Sequence, residues 1–131
     1  VGFPGETEED FSATMEFAEE MAFGKIHVFQ YSPRSGTRAA EFPQQIPGPV
    51  KECRSKRLIE LGKRLARDYH QSFVGQTVQV LVEQVQDHEA VGHTDNYLKV
   101  TFPHAGDLVG QIVPAQIFSA TSEGVQAKLA P

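Results

Sequence analysis

GQTVQVLVE, residues Gly75 to Glu83, decides the fold of the second half of this chain, because from Gly75 onward the apolar period is two. Val78, Val80 and Val82 alternate with Gln79, Leu81 and Glu83, the pattern of a strand with one face on a core. Two further runs follow. In YLKVTF (Tyr97 to Phe102), Leu98, Val100 and Phe102 point one way; in LVGQIVPAQIF (Leu108 to Phe118), Pro114 predicts an edge or a bulge. The turn-rich stretches DHEAVGHTDN (Asp87 to Asn96) and PHAGD (Pro103 to Asp107) lie between them. Short strands at this spacing predict a small all-β sheet or barrel over residues 75–119, followed by a small, polar tail over 120–131 that frays.

Upstream the pattern is helical. A helix is predicted from near Val50 to about Ser72, within a connecting segment over residues 50–74. Leu58, Leu61, Leu65, Tyr69 and Phe73 form one stripe, and Lys56, Arg57, Lys63, Arg64 and Arg67 fall opposite at 100° per residue. Before it, SPRSGTRA (Ser32 to Ala39) and FPQQIPGP (Phe42 to Pro49) are rich in proline and glycine and read as loop.

The chain opens with VGFPGETEEDF. Val1 and Gly2 read as the end of a strand, and Thr7 reads as an N-cap. Glu8, Glu9 and Asp10 in the first turn complement the helix dipole. Phe11, Met15, Ala18 and Ala22 make an apolar stripe that Gly24 ends as a C′ residue. KIHVFQY (Lys25 to Tyr31) then reads as a strand, completing a βαβ unit of a parallel sheet or barrel. On this reading residues 1–49 are an α/β piece of a longer enzyme. Its uncovered strand edges and apolar faces predict that residues 1–45 pair with another copy, dock on the β module or are poorly ordered, while the β module folds by itself.

The 131 residues suffice for one domain or two small ones, and 40% hydrophobic with 22% charged residues is ordinary globular usage. No apolar run approaches a membrane span, so no membrane partner is expected. The single Cys53 cannot form an internal disulfide, which suits a reducing compartment and predicts a cytoplasmic protein. The net charge of −5 divides unevenly: residues 1–32 carry −6, residues 33–75 carry +5 and residues 76–131 carry −4. The positive middle suits a polyanion or is a solvated helix face.

Several clusters allow more than one reading. Gly2, Phe3, Pro4 and Gly5 suit either a tight βα connection or a turn whose backbone approaches a ligand at a helix N-terminus. Tyr31, Ser32, Arg34, Ser35, Thr37 and Arg38 could bind a phosphate or carboxylate, or hold surface acids. His93, Asn96, Tyr97, Lys99 and Thr101 could bind RNA through stacking and ribose contacts, or Tyr97 could merely complete a sheet face. His88, Glu89, His93 and Asp95 lack the helical i, i+4 histidine pair of a zinc motif, and a turn explains them better; no metal site is expected. No nucleophilic triad or acid pair is apparent.

Together VGFPGETEEDF, YSPRSGTRA, the basic helix and GQTVQVLVE…GHTDNYLKVTF…LVGQIVPAQI resemble the C-terminal part of a radical-SAM methylthiotransferase, over residues 1 to about 119. GHTDNYLKV is most similar to the branch that acts on threonylcarbamoyladenosine at position 37 of tRNA. The resemblance implies the last βα elements of a radical-SAM partial barrel in residues 1–49 and an OB-like TRAM barrel that grips RNA in residues 75–119. It also implies conversion of C–H to C–SCH3 by the longer parent, with S-adenosylmethionine and two [4Fe-4S] clusters as its cofactors. Gly2, Phe3, Pro4, Gly5, Tyr31, Ser32 and Arg34 would edge the S-adenosylmethionine pocket. Arg38, Lys56, Arg57, Lys63, Arg64, Arg67, His93, Asn96, Tyr97 and Lys99 would contact tRNA. Cluster cysteines are absent, so this chain by itself is expected to bind no cluster and to be inactive. The alternatives are a non-catalytic RNA-binding module, a parent acting on isopentenyladenosine or a ribosomal protein, and a plain α+β interaction domain.

Overall fold

In the computed structural model, which describes residues 1–131, the period-two pattern closes into a barrel. Its strands are β1 (Thr77–Gln86), β2 (Glu89–His93), β3 (Lys99–Pro103), β4 (Ile112–Ala120) and β5 (Val125–Leu129), in the order β1-β2-β3-β5-β4. All pairs are antiparallel except β3 with β5. Val80, Val82, Leu98, Val100, Phe102, Ile117 and Val125 fill the interior, in the alternation the sequence predicts for β1 and β3.

Two elements of the barrel differ from expectation. β2 lies inside the stretch read as a turn; the turn itself is only Asp87 and His88, both left-handed (φ 52° and 64°) as a two-residue hairpin requires. The tail expected to fray over 120–131 instead supplies β5, with Val125 and Ala127 buried. The reason is closure: without β5 the β3 and β4 edges would have no partner. The module therefore extends past residue 119. Pro114 sits within β4 opposite Gln79, and closure leaves no free edge for it; the β4–β5 ladder begins one residue later, at Ala115.

The chain divides into two compact units, Val1–Leu65 and Ala66–Pro131. Helix α1 (Glu8–Met21) begins as predicted at Thr7, whose hydroxyl accepts from the Asp10 N–H while the Asp10 carboxylate accepts from the Thr7 N–H. It ends earlier than Gly24 predicts: Ala22 takes the left-handed conformation (φ 50°) and its N–H caps the Ala18 and Glu19 carbonyls. Helix α2 (Gly48–Gln71) begins two residues before the predicted start. Its apolar stripe is divided between two cores. Leu58, Leu61 and Leu65 pack with Phe11 and Ala18 in the first unit, and Phe73, just past the helix end, packs on the barrel core.

The first unit contains no strand ladder, so the α/β half of the expected fold is not present as a sheet. Lys25–Tyr31 is extended, but its backbone partner is Val1 alone. The Val1 amine donates to the Phe29 carbonyl (2.8 Å) and the Tyr31 N–H donates to the Val1 carbonyl (2.7 Å). These two bonds bracket Gln30 as in a parallel pair. A strand is defined by its neighbours, and one residue cannot make a ladder. The apolar faces expected to stay uncovered are covered in part: Val1, Met15, Ile26 and Val28 pack on the core that Phe11 and Ala18 form with Leu58, Leu61 and Leu65 of α2.

Candidate nucleic-acid interface

The outward face of the barrel carries a row of directly paired residues. Lys99 on β3 lies opposite His93 on β2, His93 opposite Leu81 on β1, and Leu81 opposite Ile112 on β4. Because directly paired residues share a face, these four side chains lie side by side on the outside. Leu81 and Ile112 are 44% and 68% exposed, although apolar. They belong to an open hollow of about 910 Å³ whose floor also includes Phe73 and Val78. The rim is polar and includes His93, Asn96 and Tyr97.

The approach of β1 to β2 that builds this row depends on Gly92. A Cβ there would lie 2.1 Å from the Leu81 carbonyl oxygen. Next to it the ladder shifts register between Val82 and Gln84, leaving Glu83 as an extra residue. From that bulge the Glu83 carboxylate meets His93 Nδ1 at 2.7 Å.

Tyr97 is held out by the β2–β3 turn. The Tyr97 N–H donates to the Thr94 carbonyl, the Thr94 N–H to the Leu98 carbonyl, and the Leu98 N–H to the Thr94 hydroxyl. The Thr94 hydroxyl also bonds the Asn96 side-chain oxygen. Thr94 is buried within this network, whereas Tyr97 has φ 63° and is 89% exposed. A bulky residue in the left-handed region is uncommon, and such conformations concentrate at functional sites. The structure therefore brings together His93, Asn96, Tyr97 and Lys99, as the sequence suggested. It adds Leu81 and Ile112, which sequence reasoning missed.

In the first unit, the basic face of α2 is less free than predicted. Lys56 pairs with Glu52 (3.0 Å), Lys63 with Glu60 (3.4 Å), Arg57 with Glu8 (2.6 Å) and Arg64 with Glu19 (2.8 Å). Arg57 holds the Glu8 carboxyl below its ordinary range, and Arg57 also stacks over the Phe11 ring at 4.7 Å. The acids of α1 lie along this face, which is why the positive stripe is partly neutralised. Such exposed pairs contribute little to stability. Arg67, in the second unit, has no carboxylate partner. Arg38 is exposed and lies apart from these, at the start of a 3₁₀ turn over Ala39–Glu41.

The opening turn is built on Gly2 and Gly5, with φ of 82° and 86°. Its donors are already used within the chain: the Gly2 N–H bonds Glu6 Oε1 and the Gly5 N–H bonds the Gln44 carbonyl. Arg54, not singled out by the sequence, holds the turn. It is 6% exposed, and its Nη1 donates to the Glu6 carboxylate (2.8 Å) and the Glu6 carbonyl (2.9 Å). Phe3 stacks edge-on against Tyr31 (5.3 Å) and Phe42 (6.2 Å). The Tyr31 hydroxyl is buried with no partner, an open position for a polar ligand atom. Ser32 and Arg34 lie on the exposed loop beyond, where the Arg34 carbonyl accepts from the Thr37 N–H and hydroxyl.

The residues present do not fit an iron–sulfur cluster. Cys53 is the one cysteine, it is exposed, and no three His, Cys, Asp or Glu side chains converge. His88 is in the hairpin turn and His93 at the far end of β2.

Comparison with known proteins gives this geometry a context. The model of the TRAM domain matches residues 71–130, a span that includes β5. The chain is 41% identical over 125 residues to the threonylcarbamoyladenosine tRNA methylthiotransferase MtaB of Bacillus subtilis, covering 92% of this chain and 28% of that protein. It is 45% identical over 126 residues to the tRNA-2-methylthio-N(6)-dimethylallyladenosine synthase of Chloroflexus aurantiacus, covering 93% and 27%. With the MtaB of Chlamydia pneumoniae the identity is 37%, covering 95% and 30%. The chain thus spans less than a third of the length of these relatives. A multidomain Streptococcus pneumoniae protein with nucleic acid binding domains shares 12% identity at a TM-score of 0.41, over 45% of this chain and 23% of its own, too little for argument. The chain thus carries a TRAM domain over residues 71–130 and, along almost all of its length, is similar to a part of proteins named as tRNA methylthiotransferases.

Proposed function

We propose that this chain is the C-terminal, tRNA-holding part of a radical-SAM methylthiotransferase acting on N6-threonylcarbamoyladenosine at position 37 of tRNA. The observation that carries the reading is the outward row Lys99–His93–Leu81–Ile112 with Tyr97 beside it, on a domain whose relatives are tRNA-modifying enzymes. Folded RNA is recognised by stacking, shape and ribose contacts more than by charge alone. Lys56, Arg57, Lys63, Arg64, Arg67 and Arg38 would add phosphate contacts.

In the longer protein, residues 1–49 would form the last βα elements of the catalytic barrel. The backbone edge of Lys25–Tyr31, bonded only to Val1, would pair with a neighbouring strand there, or with a second copy in this chain by itself. Phe3, Tyr31 and the turn Gly2–Gly5 would edge the S-adenosylmethionine pocket, the aromatic rings packing on the adenine and the Tyr31 hydroxyl meeting a polar atom. Ser32 and Arg34 would close that side. The cofactor and two clusters would supply the radical chemistry from elsewhere in the longer protein, so this chain alone would not react. A cytoplasmic location follows from the tRNA substrate.

The substrate assignment rests on the resemblance of GHTDNYLKV and on the two MtaB relatives. A dimethylallyladenosine substrate is the second reading, favoured by the 45% identity to the Chloroflexus protein. Expression of the longer protein in cells lacking their own enzymes, with mass spectrometry of tRNA nucleosides, separates the two. Accumulation of 2-methylthio-threonylcarbamoyladenosine is expected. The dimethylallyl product alone would move the assignment, and neither product, or a parent without CxxxCxxC, would remove the enzyme reading. For the chain by itself, tRNA should bind with an affinity that falls with salt. A duplex of equal charge binding equally well would return it to a plain interaction domain.

A further inference from the structure

We propose that the hollow on the outer face of the barrel receives an unstacked base of a single-stranded RNA segment, with Tyr97 as the stacking platform and Lys99 outside it on the adjoining phosphate. The inference rests on the RNA-binding reading above and specifies what that face reads.

The charge of the hollow argues for a base over a phosphate. Glu83 and Asp95 line it, and no lysine or arginine does. A phosphate entering beside two carboxylates would meet repulsion, whereas a neutral base would not. The nearest cation in the paired row is Lys99, one strand beyond His93 and outside the lining. The floor is apolar, with Leu81, Ile112 and Val78 offering a surface to the flat side of a base. The rim offers hydrogen-bond partners for its edge. Glu83 occupies His93 Nδ1, leaving Nε2 as the ring nitrogen for a ligand. The Asn96 oxygen is tied to Thr94, and its amide nitrogen has only a long 3.5 Å bond to the Tyr69 hydroxyl.

Tyr97 supplies the second argument. Its backbone is fixed in the left-handed region by three bonds around Thr94, and its ring is nearly bare. The chain thus accepts an unfavourable conformation in order to expose an aromatic ring. Base–aromatic stacking is tolerant of sequence, because every base has a π-face. At about 910 Å³ the hollow lies within the range of sites that hold small ligands, about 300–1,000 Å³.

The test uses the 131-residue chain and a short single-stranded RNA carrying 2-aminopurine, read by fluorescence across a salt series. Binding should change the fluorescence. Tyr97→Ala should weaken binding about 10-fold or more with the salt slope unchanged, and Tyr97→Phe should stay within about twofold of the parent. Lys99→Ala should lower the slope of log K against log salt by about 0.7, the value of one single-strand phosphate contact. Tyr97 is too exposed for its truncation to unfold the barrel, and thermal unfolding of each variant checks this. If an abasic strand of equal length binds as well as the parent strand, or Tyr97→Ala binds normally while Lys99→Ala does not, the base-reading inference is overturned although RNA binding stands. If the chain binds no RNA and instead a peptide protects Tyr97, the RNA reading and this inference both fall.

Discussion

Residues 1–65 and residues 66–131 must each satisfy their backbone donors and acceptors, and they do so by different means. The second unit closes a five-stranded sheet on itself, so every strand has two neighbours and no edge is left over. The first unit has no ladder and is tied by individual side chains. Arg54 bonds the Glu6 carbonyl, Lys51 Nζ bonds the Tyr31 carbonyl (3.0 Å), and Gln45 bonds the carbonyls of Ala39 and Phe42 (3.0 Å each). A closed barrel joins its strands by many equivalent backbone bonds, whereas the first unit joins its helices and extended segments through the core around Phe11 and a few long polar side chains. The barrel should therefore be sensitive to backbone spacing and the first unit to single polar side chains.

Gly92→Ala is the sharpest way to break the barrel. The new methyl would meet the Leu81 carbonyl oxygen at 2.1 Å and Val80 Cγ1 at 2.8 Å, so β1 and β2 must separate or the bulge at Glu83 must move. A loss of more than about 4 kcal/mol is expected, enough to unfold a small domain. Gly48→Ala is the control, since nothing lies within 4 Å of its Cβ position. Urea unfolding monitored by β-sheet circular dichroism measures both. A Gly92→Ala barrel as stable as the parent would show that the strand spacing is not rigid.

Arg54→Ala applies the complementary test to the first unit. It leaves the half-buried Glu6 carboxylate without its cation and the Glu6 carbonyl without a side-chain donor. Removing one member of a buried pair costs about 3–5 kcal/mol, and the lower end suits a pair whose Glu6 side chain is 16% exposed. Hydrogen exchange should show α1 and the opening turn losing protection while the barrel strands keep theirs. Equal loss in both units would mean that they unfold as one, and the contrast between them would fail.

The sequence made visible what depends on local chemistry. Thr7 with Asp10 announces the start of α1, and Val78, Val80 and Val82 announce a strand facing a core. It hid what depends on closure. Val125 and Ala127 do alternate with polar residues, but five residues ending in a small, polar tail are a weak signal until a barrel lacks one strand. β2 was obscured because Gly92 and the flanking charges resemble a turn, although the glycine is there for close strand approach. In the candidate site, His93, Asn96, Tyr97 and Lys99 were legible as polar and aromatic residues near a turn. Leu81 was also legible in principle, because it places an apolar residue where the alternation calls for a polar one. Arg54 was not, since one arginine among several gives no sign of which is buried. Nor could the helix pattern show that acids of α1 would cover part of the basic stripe.

A smaller effect sharpens the comparison at the N-terminus of α1. Thr7→Ala removes the hydroxyl that caps the Asp10 N–H and should cost about 1 kcal/mol. Acid should act on the same motif. Hydrogen bonds from the Thr7 backbone, then its side chain, hold the Asp10 carboxyl below its ordinary 3.8. The Glu8 carboxyl is likewise held below 4.5, chiefly by Arg57. A carboxyl that is harder to protonate in the folded state favours folding when ionised. Its contribution is therefore complete above the unfolded values and disappears as pH falls through the lower folded ones. Helical circular dichroism should accordingly decline as pH drops below about 4, with a shallower decline in Asp10→Asn, which has no charge to lose. A pH profile identical in the parent and Asp10→Asn would show that the capping box does not set the acid limit of this unit.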